Sequence, residues 1–339
     1  MTTRVAVIGC GYWGPNLIRN FSSLESAEVR WVCDLDPGVL AGLKARYPAV
    51  RTSTDPREAI DDPEVDAVAI CTPVATHAGL ALQALQGGKH ILVEKPLTDS
   101  TETAEELVAL AERSGLILQV DHTFVYSGAV RKVAEIVRSG ELGELLYIDC
   151  VRINLGLFQS DVNVVWDLAP HDLSIIDHLV GQEPHWVSAI GSRHLAPVES
   201  QAYVTMQFEG SLIAHLHVNW LAPVKLRSTV IGGSRKMIVY DDLAPSEKVR
   251  VYEKGVSLQS GAPERARALV DYRVGDMLAP HLDKTEPLES VCLSFLDAIR
   301  TGTPPATDGR SGLRIVRQLE AAQKSLRREG ARVPIRGGR

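Results

Sequence analysis

The sequence predicts an α/β domain with a parallel β-sheet, followed by an α+β domain built on an open, mostly antiparallel β-sheet. In residues 1–121, short apolar runs alternate with helical patterns, and strands that are apolar on both faces are typical of parallel sheets. After residue 121, helices become rare and β-rich runs follow one another, joined by turns at 209–211 and 232–234. We therefore expect one domain over residues 1–121 and a second over 122–339, with the two C-terminal helices able to pack back on the first.

Each element of the first domain follows from a local pattern. Apolar runs predict strands at residues 5–8, 29–33, 67–71, 91–93 and 116–120, and helical patterns lie between them at 15–24, 38–46, 77–86 and 101–113. Pro15 opens the first helix, where a missing N–H does no harm. Glycines follow the last turns of two others, which is their usual place at helix C-termini: Gly87, Gly88 and Gly115.

The second domain begins with helices but is mainly β-structure. Helical patterns occupy residues 129–139 and 170–180, and Gly181 ends the second of them. The β-rich runs lie at 186–191, 202–208, 212–220, 228–231, 236–240 and 249–253. Two helical patterns, near 288–301 and 309–328, close the chain.

Composition narrows the class of protein. The 339 residues carry a net charge of −6 with a pI near 6.0, which disfavours nucleic acid and anionic membranes as partners. No apolar run approaches the ~20 residues of a spanning helix, and the N-terminal residues show no signal-peptide pattern. The five cysteines are scattered without a CxxC pair, which predicts neither a disulfide framework nor a cysteine zinc site. We expect a soluble cytoplasmic protein.

The first strand runs into the sequence GCGYWG, in which Gly9, Gly11 and Gly14 form a G-x-G-x-x-G pattern. Placed between a strand and a helix, this pattern is the dinucleotide-binding fingerprint. The first glycine allows a tight turn, the second lets the backbone approach a pyrophosphate, and the third lets helix and strand pack closely. Tyr12 and Trp13 lie inside the same loop and are expected to contact the cofactor.

Asp34 ends the second strand, 20 residues beyond Gly14. A carboxylate at this position accepts hydrogen bonds from the adenosine ribose hydroxyls and repels a 2′-phosphate. No arginine follows it directly, so the sequence favours NAD over NADP. Asp36 is better interpreted as the N-cap of the next helix.

Polar residues also follow two later strands. Thr72 and Pro73 are expected in a loop over the cofactor, with His77 starting the next helix. Glu94 and Lys95 stand at the carboxyl edge of an apolar strand, where open α/β sheets bind ligands. The structural alternative for Lys95 is a surface lysine. The structural alternative for His77 is a capping or surface histidine, which is as well supported as a functional role.

The stretch WDLAPHDL at 166–173 places Asp167 and His171 one helical turn apart. Asp167 alone fits a helix N-cap, with Pro170 in the first turn. A metal site is less well supported because no third ligand lies at suitable spacing. The third interpretation, a proton-transfer pair, depends on the upstream cofactor motif and Lys95.

Taken together, GCGYWG, CDLD, CTPVATH, VEKPL and DLAPH resemble, in order, the motifs of the Gfo/Idh/MocA oxidoreductase family. The resemblance covers nearly the whole chain. It implies a Rossmann domain joined to an open-sheet substrate domain, and oxidation or reduction of a secondary alcohol on a sugar, inositol or related ring. It also implies a cis Lys95–Pro96 peptide bond.

The resemblance implies catalytic roles for Lys95, Asp167 and His171. A neutral histidine suits removal of the hydroxyl proton, so His171 is expected to be the general base. Lys95 would stabilise alkoxide character on the reacting oxygen, and Asp167 would orient the imidazole or the substrate. Ala169 and Ser174 depart from the family pattern, which has a glycine and an acidic residue there.

The sequence around the pair also resembles a nucleotide-sugar subgroup, the 3-dehydrogenases of UDP-N-acetylglucosamine or its uronic acid. This implies action at C3 of a UDP-amino sugar. Besides Lys95 and His171, the residues expected near the substrate are His122, Tyr126, Arg152, Asn154, Gln159, Asn163 and Trp166. Arg152 could hold a carboxylate or phosphate, with a surface salt bridge as the alternative.

Three other functions fit the same motifs. They are an NAD(P)-dependent dehydrogenase of inositol or a free sugar, an NAD-dependent glycosidase of the same family, and a non-catalytic NAD sensor. The intact Lys95, Asp167 and His171 argue against the sensor. The open sheet favours a homo-oligomer, a dimer or tetramer.

Overall fold

The computed structural model describes residues 2–156, 162–194, 197–253, 255–258, 270–273 and 275–335. Its contacts divide the chain into two compact units. The first comprises residues up to 127 together with 285–320, and the second comprises 128–284 and 321 onwards. The sequence predicted a boundary at residue 121, six residues earlier. No helix in the described ranges combines the length and apolar character needed to cross a bilayer.

The strands of the described residues are β1 Thr3–Ile8, β2 Ala27–Cys33, β3 Arg51–Ser53, β4 Ala67–Ile70, β5 His90–Glu94, β6 Leu118–Asp121, β7 Leu145–Leu155, β8 Trp186–Ser192, β9 Gln201–Gln207, β10 Ile213–Asn219, β11 Leu221–Gly233, β12 Met237–Asp241, β13 Val249–Tyr252, β14 Gly255–Leu258, β15 Val270–Arg273, β16 Met277–Leu278 and β17 Val333–Pro334. The helices are α1 Gly14–Ser23, α2 Pro37–Arg46, α3 Pro56–Ile60, α4 Val74–Gln86, α5 Thr101–Ser114, α6 Gly128–Arg138, α7 Val164–Val180, α8 Pro287–Thr301 and α9 Gly309–Leu326.

The first unit is a doubly wound α/β domain. Its parallel sheet has the strand order β3-β2-β1-β4-β5-β6, which reverses between β1 and β4. Ligands bind in such sheets outside the carboxyl ends of the strands, at this reversal. The apolar runs form the core, and α8 packs on α1 through an edge-on contact of Phe21 and Phe295 with ring centroids 6.4 Å apart.

The second unit is built on a larger mixed sheet. Among the described residues its order is β16-β13-β12-β11-β7-β10-β9-β8-β17. Neighbours are antiparallel except β7 and β10, and β7 lies in the interior of the sheet. The sequence analysis did not identify β7 as a strand, because its burial alternates only from Ile148 onwards.

The helix that carries the Asp167–His171 pair begins earlier than the sequence predicted. Pro170 indicated a start at residue 170, but α7 begins at Val164. Asn163 caps it, because its Oδ1 accepts the backbone N–H groups of Val165 and Trp166 at 3.1 and 3.2 Å. Pro170 is therefore inside the helix, where it donates no backbone hydrogen bond. Gly181 ends the helix in the left-handed region, as predicted.

Candidate functional site

The glycine loop opens onto a cleft at the carboxyl edge of the first unit's sheet. The cavity has a volume of about 630 Å³. Its lining combines the three predicted loops, and the predicted cofactor residues on it are Gly9, Gly11, Tyr12, Trp13, Asp34, Thr72 and Pro73. Trp13 precedes α1 without a side-chain cap, Pro15 has no N–H, and the Asn16 N–H donates to the Trp13 carbonyl oxygen at 2.9 Å.

The three glycines are required for different reasons. A Cβ on Gly14 would lie 2.1 Å from the carbonyl oxygen of Gly9, so any larger residue would push α1 off the loop. Gly9 has a φ of +89°, and a Cβ there would meet the Cys71 backbone at 2.8 Å. A Cβ on Gly11 would meet no atom within 4 Å. Gly11 is therefore not demanded by packing against the described protein atoms, which fits a backbone kept bare for a pyrophosphate.

Asp34 is fixed in place before any cofactor binds. Its Oδ2 accepts the backbone N–H of Cys10 at 2.6 Å, and its Oδ1 accepts that of Asp36 at 2.9 Å. The carboxylate thus ties the end of β2 to the glycine loop. Asp36 caps α2 by accepting the Gly38 N–H at 2.7 Å, as the sequence predicted.

His77 has a structural position rather than one on the cleft surface. It lies within α4 instead of starting it, and its ring is buried. Nδ1 lies 3.0 Å from the carbonyl oxygen of Pro96, and Nε2 lies 2.8 Å from that of Thr72. Burial lowers the pKa of His77, although both carbonyl groups favour the protonated ring. His77 thus joins two loops of the site, and its predicted contact with the cofactor stays a prediction.

Glu94 also turns away from the cleft. It ends β5 opposite Asp121, which ends β6, and both side chains are buried. Burial and the Asp121 carboxylate raise the pKa of Glu94 well above its usual range. Burial raises the pKa of Asp121 to about 6, although the hydrogen bond that the Thr123 hydroxyl donates to it at 2.8 Å lowers that pKa. Glu94 is therefore partnered with Asp121, and its predicted role in holding the cofactor stays a prediction.

Lys95 follows this carboxyl pair and interacts electrostatically with both of its members. The Lys95–Pro96 peptide bond is cis, as predicted. His122, which directly follows β6, is only 1% exposed, and its ring nitrogens have no hydrogen-bond partner in the described part of the chain. Burial lowers the pKa of His122 to about 3, so its ring is neutral. The Tyr126 hydroxyl lies 3.1 Å from that of Thr307 and accepts the Ser294 hydroxyl at 3.3 Å.

In the second unit, α7 presents the predicted catalytic pair. Asp167 and His171 are partly exposed on a helix whose other residues are mostly buried, and Trp166 shares that exposure. Asp167 is not the cap, because Asn163 fills that position. Its Oδ2 instead accepts the indole N–H of Trp220 at 2.9 Å, and Trp220 is fully buried. Ser174, which replaces the acidic residue of the family pattern, donates to the His171 carbonyl oxygen at 2.8 Å.

Two residues predicted to contact substrate have structural partners instead. Arg152 is 3% exposed and makes a two-pronged ion pair with Asp172, at 2.9 Å from Nε and 2.8 Å from Nη2. That pair is buried, unlike the surface salt bridge considered as the alternative. Asn163 caps α7 with its oxygen and donates from Nδ2 to Glu199 and Gln323. Both substrate contacts were predicted from closeness in sequence to Asp167. Closeness in sequence does not distinguish a residue that packs inside the domain from one that binds substrate.

The other predicted substrate residues are less constrained. Asn154 lies on β7 and is half-buried, whereas Gln159 lies outside the described residues. The sequence analysis missed Asp121 and Trp220. Asp121 could have been found by the rule that identified Glu94, since it ends the neighbouring strand. Trp220 could have been suspected because a buried indole needs an acceptor. Within the described ranges, no three His, Cys, Asp or Glu side chains converge on a metal site.

Comparison with known proteins gives one consistent result. The GFO/IDH/MocA model for an oxidoreductase with an NAD-binding Rossmann fold matches residues 3–122, and the model of the GFO/IDH/MocA C-terminal domain matches residues 130–239. The UDP-N-acetylglucosamine 3-dehydrogenase of Acidithiobacillus ferrooxidans is 29% identical, over 75% of this chain and 76% of that enzyme. Its solved structure superposes with a TM-score of 0.81 at 25% identity, covering 97% of this chain and 99% of that one. An inositol 2-dehydrogenase of Saccharopolyspora erythraea is 34% identical over 54% of this chain and 55% of that protein.

Proposed function

Because the chain belongs to the GFO/IDH/MocA family of oxidoreductases, which act on CH–OH groups of sugars and polyols, we propose that it interconverts the C3 alcohol and ketone of a UDP-amino sugar. The first domain is an NAD-binding Rossmann domain, and its glycine cradle and fixed Asp34 fit that cofactor. NAD accepts or returns the hydride, and the protein aligns it with the substrate.

The observation that carries the proposed chemistry is the position of Asp167 on α7. Since Asn163 caps the helix, Asp167 is released from that structural role, and its carboxylate is held by Trp220 beside the face that bears His171. We assign His171 as the general base that takes the hydroxyl proton. Asp167 orients it or the substrate, and Trp220 holds Asp167. Lys95 stabilises the oxygen as its charge grows.

The substrate class is supported by similarity rather than by site geometry. The UDP-N-acetylglucosamine 3-dehydrogenase is 29% identical over 254 residues, and its solved structure superposes over 97% of this chain. Inositol 2-dehydrogenases align at 34% identity over 187 residues and at 27% over 321 residues, so the length of the alignment does not separate the two substrate classes. The higher identity of the shorter inositol dehydrogenase alignment, 34% against 29%, makes myo-inositol the second candidate. A fold alone does not determine a substrate.

A panel assay separates these candidates. The purified protein is incubated with NAD and, separately, UDP-N-acetylglucosamine, its uronic acid, myo-inositol and free N-acetylglucosamine, and NADH absorbance is followed. We expect turnover with a UDP-amino sugar and a 3-keto product by mass spectrometry. Turnover with myo-inositol alone would transfer the assignment to the second candidate. In a parallel incubation with the nitrophenyl glycoside of N-acetylglucosamine, release of nitrophenol without net NADH would indicate the glycosidase.

Two variants test the assigned residues on whichever substrate is active. His171→Ala and Lys95→Ala should each lower kcat by roughly 10²–10⁴-fold, the range for a lost acid–base group. NAD affinity, measured by calorimetry, should change little, because the glycine loop and Asp34 make the principal cofactor contacts. A variant that kept wild-type kcat would remove its residue from the mechanism.

A further inference from the structure

Glu94 and Asp121 form a buried carboxyl pair beneath Lys95. They are register partners at the ends of the adjacent parallel strands β5 and β6, so their Cα atoms are held side by side by the sheet. Glu94 is 8% exposed and Asp121 is 2% exposed. Two buried carboxylates in contact cannot both ionise without a large cost, so such pairs hold a proton between them.

The groups around the pair supply little compensation. Thr123 donates one hydrogen bond to Oδ1 of Asp121, and the Lys95 backbone N–H lies 3.2 Å from Oε2 of Glu94. The second oxygen of Asp121 has no donor facing it among the described residues. The other titratable neighbours are neutral near pH 7: His122, whose pKa is lowered to about 3, and Cys71, Cys292 and Tyr126, whose pKa values are raised by burial.

We propose that Glu94 and Asp121 share one proton and act together as a single negative charge that balances the ammonium group of Lys95. The two carboxyl groups would then be positioning residues that fix the charge of the site without touching the substrate. Whether the two acids share a proton does not depend on the proposed function. Any effect of that proton on the reaction rests on the role proposed for Lys95.

The charge count predicts how amide variants behave. If the pair shares one proton, replacing either acid by its amide leaves the other to carry the single negative charge, so Glu94→Gln and Asp121→Asn each keep one negative charge near Lys95. Only the double variant removes that charge. The double variant lacks the negative charge that the pair supplies to the Lys95 ammonium group, so the position of that group in the site should be less well fixed.

Infrared spectroscopy of the purified protein tests the shared proton directly. At pH 7, the spectrum of the wild type should contain a protonated-carboxyl band that is missing in both Glu94→Gln and Asp121→Asn. Asp66→Asn serves as the control, since Arg4 lowers the pKa of Asp66 and its loss should remove only an ionised-carboxylate band. A protonated band that survives in either single variant would overturn the proposal, because it would belong to one acid alone.

A thermal measurement provides a second test. The folded pair binds protons more tightly than the unfolded chain, so its contribution to stability is greatest at low pH and is lost as pH rises through the raised pKa values. The melting temperature of the wild type should fall more between pH 5 and pH 8 than that of Glu94→Gln. Equal slopes would contradict a proton held by the pair.

Kinetics then tests the link with Lys95. In a double-mutant cycle, independent residues multiply their effects. We expect kcat of Glu94→Gln/Asp121→Asn to fall at least tenfold below the product of the two single effects. Suppose that both single variants lack the infrared band but that kcat of the double variant equals the product of the two single effects. The proposal of a shared proton would then stand, and its link with Lys95 would be overturned.

Discussion

The two units use polar residues in opposite ways. At the glycine loop of the first unit, polar groups face the open cleft, and a Cβ on Gly11 would meet no described protein atom. Around α7 in the second unit, polar groups are satisfied by one another, as in the Arg152–Asp172 pair and the Asn163 cap. The first region has the shape of a ligand site, whereas most polar groups of the second hold α7, the helix that carries Asp167 and His171, whose catalytic roles are proposed above.

This difference explains which residues could be recognised from sequence. The cofactor loop works through its backbone, and glycines at fixed spacing report a backbone requirement directly. Asp36 was recognised correctly as a helix cap because its position at a helix start is a local fact, whereas the ribose-binding role of Asp34 stays a prediction. The cis Lys95–Pro96 bond came from family resemblance rather than from local physics.

The side-chain contacts that the sequence analysis did not find join residues that are distant in the chain. Arg152 pairs with a residue 20 positions away and Trp220 with one 53 positions away, and neither separation has a local signature. His77 and Glu94 stand in motifs, yet their side chains turn towards the protein interior. The fold could be predicted because the apolar pattern is repeated along the chain. A single polar contact occurs once and therefore leaves no pattern in the sequence.

The largest effect should come from breaking the buried pair in the second unit. Arg152→Met leaves Asp172 buried without its counter-ion, which costs about 3–5 kcal/mol of unfolding free energy. Arg131→Ala breaks an exposed ion pair with Asp283 in the same unit and should cost only about 0–1 kcal/mol. Urea unfolding of both variants measures the difference. If Arg152→Met stayed stable but raised KM for the sugar, Arg152 would return to the substrate site and the contrast between the two regions would fail.

A smaller effect should separate two glycines of the cofactor loop. Gly14→Ala forces a methyl group against the Gly9 carbonyl oxygen, so it should destabilise the protein by about 1–3 kcal/mol. Gly11→Ala meets no protein atom and should unfold within about 0.5 kcal/mol of the wild type. NAD should nevertheless bind Gly11→Ala at least about tenfold more weakly, or about 1.4 kcal/mol. Thermal melts with and without NAD distinguish the outcomes, and unchanged affinity in Gly11→Ala would show that the cleft is not the pyrophosphate site.

The smallest effect concerns two carboxylates of one loop. Asp34→Asn keeps an oxygen for the Cys10 N–H but removes the charge that repels a 2′-phosphate, so the preference for NAD over NADP should narrow by about tenfold, or about 1.4 kcal/mol. Asp36→Asn is the matched control, because asparagine caps a helix about as well as aspartate and Asp36 is outside the cleft lining. Calorimetric titration of both cofactors into each variant gives the two ratios. A wild type that preferred NADP, or equal changes in the two variants, would mean that Asp34 only ties the strand to the loop. The cleft at the glycine loop would then resemble the region around α7, because the Asp34 carboxylate would stabilise the fold and would not bind the cofactor.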